Sequence, residues 1–177
     1  MANLAIISDS HNNDTYLDLL GDQLENYKVD TILHLGDVTS PEMTGFLRGY
    51  KTYFVVGNND FERERLEKEV KGVKGVLQDQ PLCFDWNNRK IFAVHGHKVG
   101  LTDGLTLAKN AFDSGEWDLV CYGHTHAYKR QSKETSKTSS GVSYLLNPGA
   151  LRDGSFCLIN DNRFEPQHYD LDNMNFN

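Results

Sequence analysis

Cysteine is scarce in this 177-residue chain: Cys83, Cys121 and Cys157 lie far apart and form no Cys-x-x-Cys pair. An odd, scattered set excludes a disulfide framework and paired-cysteine zinc or redox sites. Cys121 and Cys157 sit in apolar runs, where free cysteine acts as a small buried hydrophobe. No apolar stretch approaches the roughly 20 residues that a membrane helix needs. Met1 to Ser10 has no basic n-region and reaches Asp9 too soon for a signal peptide, so the expected setting is the reducing cytoplasm. Basic residues are also short, 18 against 25 acidic ones, which leaves a formal net charge of −7. That field repels phosphate, which opposes binding to long nucleic acid or to an anionic membrane. A phosphate-bearing ligand then needs something local that reverses the sign. What is present is 38% hydrophobic residues, enough for an ordinary core. One domain over residues 1–171 is expected, with a frayed tail at 172–177 and no linker or internal repeat.

Short apolar runs set the element order. Leu4-Ala5-Ile6-Ile7 reads as a strand buried on both faces. Residues 15–27 space Leu17, Leu20 and Leu24 as a helix does, with Asp14 as its cap. Strands follow at 31–35 and 53–56, separated by a short helix at 41–49 that starts after Ser40. This alternation predicts a parallel βαβ sheet. A charged helix at 63–70 leads to an apolar segment at 73–77. A hairpin then joins strands 82–86 and 90–94 through Asn87-Asn88-Arg89. A helix is expected at 103–112 and a buried strand at 118–122. Residues 131–141, rich in Ser, Thr and Lys, read as a mobile surface loop. Strands resume at 142–146 and 155–159, and a last one at 164–171 is held to an edge by Pro166.

Many of these runs stop at residues able to bind a metal. The first ends in Asp9-Ser10-His11, the next in Gly36-Asp37, the third in Gly57-Asn58-Asn59-Asp60. Two later ones end in His95-Gly96-His97 and Gly123-His124-Thr125-His126. Open α/β sheets bind ligands outside the carboxyl ends of their strands, so five ends can deliver imidazoles, carboxylates and an amide to one place. Five of the seven histidines fall at these ends. Each motif alone is weak: Gly-Asp and Gly-Asn-Asn-Asp are most simply turns. The His-x-His pairs are stronger, because i,i+2 side chains leaving a strand can face the same way. The ordered set is far more specific than its parts.

In that order the motifs resemble the signature of the calcineurin-like metallophosphoesterases, and the segment through Asn147-Pro148-Gly149 resembles their small bacterial and archaeal phosphodiesterase branch. The resemblance implies an α/β fold, a four-layer αββα sandwich of two packed mixed sheets flanked by helices. It implies one divalent ion on Asp9, His11, Asp37 and His126, and a second on Asp37, Asn58, His95 and His124. It further implies hydrolysis of a small phosphodiester by a metal-bridging hydroxide attacking phosphorus, with Asp37 and Asn58 in the catalytic set. Mixed imidazole, carboxylate and amide donors favour manganese, with nickel, iron or zinc as alternatives. Two dications against two carboxylates leave roughly +2, which reverses the local sign.

Asn59 departs from the family pattern, in which many members carry a histidine that protonates the leaving oxygen. An amide cannot donate that proton. His97 is a candidate replacement acid, or else orients His95. Other residues carry plainer readings: His34 is a core histidine, His168 a surface one, Asp60 and Asn147 close turns, and Arg152 either touches phosphate or forms an exposed ion pair. The alternatives to a phosphodiesterase are a non-catalytic interaction scaffold and a phosphomonoesterase or nucleotide phosphatase. Length argues against a barrel hydrolase of amides. An uncovered edge strand leaves a homo-oligomer open.

Overall fold

The computed structural model describes residues 2–174. The first apolar runs become parallel strands because each is buried on both sides and its return crosses one face of the sheet. Strand β1 (Asn3–Ile7) leads to helix α1 (Asp14–Asn26), then to β2 (Thr31–His34) and β3 (Lys51–Val55). Helix α2 (Arg63–Gly72) and β4 (Val76–Gln78) complete this half. Strands β1 to β4 are parallel neighbours in that order. Two late strands, β12 (Ser155–Asn160) and β13 (Gln167–Asp170), extend the sheet antiparallel on the far side of β1. Pro166 thus precedes an edge strand, where its missing N–H costs no ladder bond.

The second sheet is built from the middle of the chain. Strands β5 (Leu82–Trp86) and β6 (Arg89–Val94) form a hairpin, and both turn residues, Asn87 and Asn88, have positive φ. That is the geometry a two-residue turn requires, and asparagine tolerates it. A small ribbon follows, β7 (Lys98–Val99) with β8 (Thr102–Asp103), then helix α3 (Gly104–Ser114). Strands β9 (Leu119–Tyr122), β10 (Lys129–Glu134) and β11 (Val142–Asn147) give the order β10-β11-β9-β6-β5.

Three apolar layers hold these parts together. Leu4, Ile6, Leu33 and Leu35 of the first sheet meet Ile91, Ala93, Leu119 and Cys121 of the second. The outer face of the first sheet packs on α1 and α2 through Ile7, Phe54, Leu20 and Leu66. The outer face of the second packs on α3 through Val94, Val120, Ala108 and Phe112. The architecture is the expected αββα sandwich of two mixed sheets. No helix among the described residues is long and apolar enough to cross a membrane.

Several local expectations are corrected. The α1 cap is Asn13, whose side chain accepts from the Tyr16 N–H, and Asp14 is the first helical residue. The short helix after Ser40 is a 3₁₀ segment, Pro41–Leu47, and Ser40 makes no side-chain cap bond. The first four residues of the polar stretch expected as a mobile loop, 131–134, belong to β10, which pairs with β11 from Lys129↔Asn147 to Glu134↔Val142. Its side chains are mostly exposed at the sheet edge, so no hydrophobic period marks it. Ser139 and Ser140 then bond the buried Asp118 carboxylate, which anchors the rest of that segment. Of the tail expected to fray, Asp172 and Asn173 close a last 3₁₀ turn, and Asp172 accepts from the Tyr16 hydroxyl. Residues 175–177 lie outside the described residues.

Candidate metal centre

The strand ends meet. Asp9, His11, Asp37, His124 and His126 all have positive φ, between 44° and 66°. Non-glycine residues in this region carry strain of about 1–3 kcal/mol each and persist only when their surroundings fix them. Here the surroundings do. The Asp9 N–H donates to the Gly36 carbonyl at 2.9 Å and the His11 N–H to the Asp37 carbonyl at 3.1 Å. Asp60 is the hub: Oδ2 accepts from the N–H groups of Asp37 and Gly57, and Oδ1 from those of Val38 and Thr39, all at 2.8–3.0 Å. It is only 6% exposed and binds the second and third loops to each other, beyond closing its own turn. Gly57 has no room for a side chain, because a Cβ there would collide with the Asp37 carboxylate and amide.

Two groups of donors result. Asp9, His11 and His126 present ligand atoms within 4.8 Å of one another, and so do Asp9, Asp37 and His95. In the first group Asp9 Oδ1 lies 3.2 Å from His126 Nε2 and 3.9 Å from His11 Nε2, and His11 Nε2 lies 3.8 Å from Asp37 Oδ2. Asp9 Oδ1 and His11 Nε2 are buried and make no hydrogen bond. The other Asp9 oxygen is engaged, accepting from the Ser8 hydroxyl and the His124 N–H.

In the second group the Leu35 carbonyl accepts a hydrogen bond from His95 Nδ1 at 2.7 Å. That leaves Nε2 aimed at Asn58 Oδ1 (3.0 Å) and Asp37 Oδ1 (3.5 Å), so the three atoms converge. His124 stands at the margin, its ring centroid 5.1 Å from that of His95. His124 and His126 therefore do not share a face as a strand pair would. They leave β9 through left-handed residues, which send His126 to Asp9 and His124 to His95.

Electrostatics follow from burial and pairing. Burial pushes the Asp37 carboxyl up, but the His95 imidazole and the Asn59 amides outweigh it and hold the group well below the usual carboxylate range. Burial lowers the His95 pKa, and Asp37 more than reverses that. Burial lowers His97 and His124, aided by the charge of their histidine neighbours.

The remaining candidates are resolved individually. The Asn59 side chain donates to Asp37 Oδ2 at 2.7 Å while its N–H donates to Oδ1 at 2.8 Å, so it grips that carboxylate. His97 does not orient His95, since the Leu35 carbonyl does. Its ring lies 5.3 Å from that of His95, with Nδ1 buried and unpartnered. Asn147 is buried and donates to the Gly123 carbonyl and Thr125 Oγ1, so it ties the His124 loop as well as its own turn. The Arg152 guanidinium makes only a loose pair with Asp153 at 3.8 Å. Nothing in the spacing of Asp60, Asn59 or Ser8 signals these roles.

His34 is the core histidine expected. It stacks on Phe54 at 4.5 Å, accepts from the Gly36 N–H at Nδ1, and lies 3.3 Å from Ser10 Oγ through Nε2. Burial pushes its pKa down to about 3. The unfolded chain then takes up a proton below pH 6.5 that the folded chain refuses. This share of stability is whole above pH 6.5 and is lost as pH falls toward 3, at about 1.4 kcal/mol per pH unit. His34→Asn keeps an acceptor near the Nδ1 position and removes the titration. Urea unfolding at pH 7 and pH 5 is expected to show a smaller loss in the variant by about 2 kcal/mol, and parallel losses would refute the assignment.

Comparison with known proteins bears on the family and the fold. A family model described as the calcineurin-like phosphoesterase superfamily domain matches residues 2–159. A phosphodiesterase of Methanocaldococcus jannaschii is 27% identical over 149 residues, 82% of each chain. Among solved structures, an archaeal phosphodiesterase superposes with a TM-score of 0.79 at 22% identity, covering 95% of this chain and 99% of that one. Vps29 of Entamoeba histolytica, solved with Zn²⁺, superposes at 0.59 with 21% identity over 96% and 99% of the two chains. With that family model spanning nearly the whole chain, the chain belongs to the calcineurin-like phosphoesterase superfamily.

Proposed function

We propose that the chain is a metal-dependent phosphodiesterase that hydrolyses small phosphodiesters at two divalent ions. One ion is assigned to Asp9, His11, Asp37 and His126, the other to Asp37, Asn58, His95 and His124, with Asp37 shared. The observation that carries this reading is the pair of buried acceptors without partners, Asp9 Oδ1 and His11 Nε2, facing His126. Acceptors turned toward one another inside a protein are costly unless a cation lies between them. The donor set suits manganese first, then nickel, iron or zinc. When bound, such ions lower the pKa of a shared water and stabilise charge on the phosphoryl oxygens.

The chain's own residues set the limits of the reaction. Asn59 is committed to Asp37 and carries no transferable proton. His97 borders the second ligand group and is a candidate acid among the described residues, with its pKa lowered by burial. Rates should therefore fall steeply as leaving-group pKa rises. A series of substituted aryl phosphodiesters, assayed across Mn²⁺, Ni²⁺, Fe²⁺ and Zn²⁺, is expected to show a drop of about tenfold or more between nitrophenyl and unsubstituted phenyl esters. A flat series with chemistry limiting would mean that a proton donor is present after all. A protein that takes up no metal and cleaves no ester would favour the scaffold.

A further inference from the structure

A cavity of about 710 Å³ lies between α3 and the outer face of the second sheet, within the size range of small-molecule sites. Its lining includes Leu105, Phe112, Tyr122 and Leu145, with the 42% exposed ring of Tyr128 at its side. That ring is held by a stack on His168, with centroids 4.0 Å apart. Lys109, Asp113 and Lys129 stand at the rim, and the first two pair with each other.

Two residues join this cavity to the ligand cluster. Leu105 and His124 pack against the same point of Gly96, where a Cβ would meet Leu105 Cδ2 at 3.1 Å and His124 Cβ at 3.3 Å. Gly96 separates His95 from His97, so Leu105 borders both the cavity and the site. Thr125, between His124 and His126, lines the cavity itself. An apolar, aromatic-sided space therefore adjoins the loop that carries two of the assigned ligands, His124 and His126.

Resting on the phosphodiesterase reading, we propose that this cavity takes a flat aromatic group of the substrate, so that the enzyme selects phosphodiesters bearing an aromatic ring over those of small alkyl alcohols. The polar centre holds the phosphate and the cavity supplies selectivity through apolar contact, which for a buried ring is worth about tenfold or more.

Calorimetric titration of the metal-loaded protein with phenylphosphonate and methylphosphonate tests this without turnover. The expected result is binding of phenylphosphonate at least about tenfold tighter. Ala127→Trp, at an exposed lining position, should fill the cavity and erase that preference, with methylphosphonate as the internal reference. Tyr128→Ser, which removes one wall, should weaken phenylphosphonate alone. Equal affinity for the two ligands, or a preference that survives both substitutions, overturns the cavity assignment and leaves the phosphodiesterase reading standing. If neither phosphonate binds the metal-loaded protein, the phosphate site and the cavity assignment fall together.

Discussion

Asp37→Asn is expected to lower phosphodiester hydrolysis by at least about a thousandfold, equivalent to roughly 4 kcal/mol of transition-state stabilisation. The substitution keeps the shape of the side chain and removes its charge. Both carboxylate oxygens are in use: each accepts from Asn59, Oδ1 faces His95 and Oδ2 faces His11. A carboxamide offers one acceptor where two donors arrive, and it brings its own N–H groups into a cluster of acceptors. Metal analysis of the purified variant should find fewer than two ions per chain. Full activity with two ions retained would remove Asp37 from the shared position and with it the dinuclear assignment.

The second large effect falls on a residue that touches no reacting group. Asp60→Ala leaves four backbone N–H groups without their acceptor. Water can reach some of them, so the cost is expected at about 3–5 kcal/mol rather than the sum of four lost bonds. Asp60→Asn is the more searching substitution. Its amide nitrogen must face two donors, so it should cost nearly as much despite equal size. Metal affinity should fall about 10–100-fold as well, because the Asp37 and Gly57 loops lose their common anchor. Urea unfolding in the presence of a chelator isolates the stability effect. An asparagine variant as stable as the parent would show that the four contacts carry little weight.

Legibility from the sequence varied by the physics of each element. Strands buried on both faces announced themselves, as Leu4-Ala5-Ile6-Ile7 and Leu119-Val120-Cys121-Tyr122 did, because a short, continuous apolar run that stops at glycine or turn residues fits a covered strand better than a helix. The Asn87-Asn88 hairpin was equally plain, since its turn chemistry is local. Strand β10 was hidden for the opposite reason. It sits at an edge with its side chains mostly in solvent, so its residues satisfy a backbone ladder without recording any hydrophobic period. The α1 cap was misplaced by one residue because Asn13 and Asp14 are both competent caps, and only the chain direction leaving His11 chooses between them.

Taken alone, the sequence determined which chemical groups stand at the strand ends, the αββα architecture through its family signature, and a net charge that demands a local reversal of sign. Those are properties of composition and short-range order. The tertiary structure decided how the groups are shared out: His126 to Asp9, His124 toward His95, Asn59 onto Asp37, and Asp60 beneath two loops at once. It also placed an apolar cavity beside Thr125, between His124 and His126. Such partnerships depend on left-handed backbone turns and on contacts between residues far apart in the chain. Their free energy comes from the packed whole, and no local pattern of residue types records it.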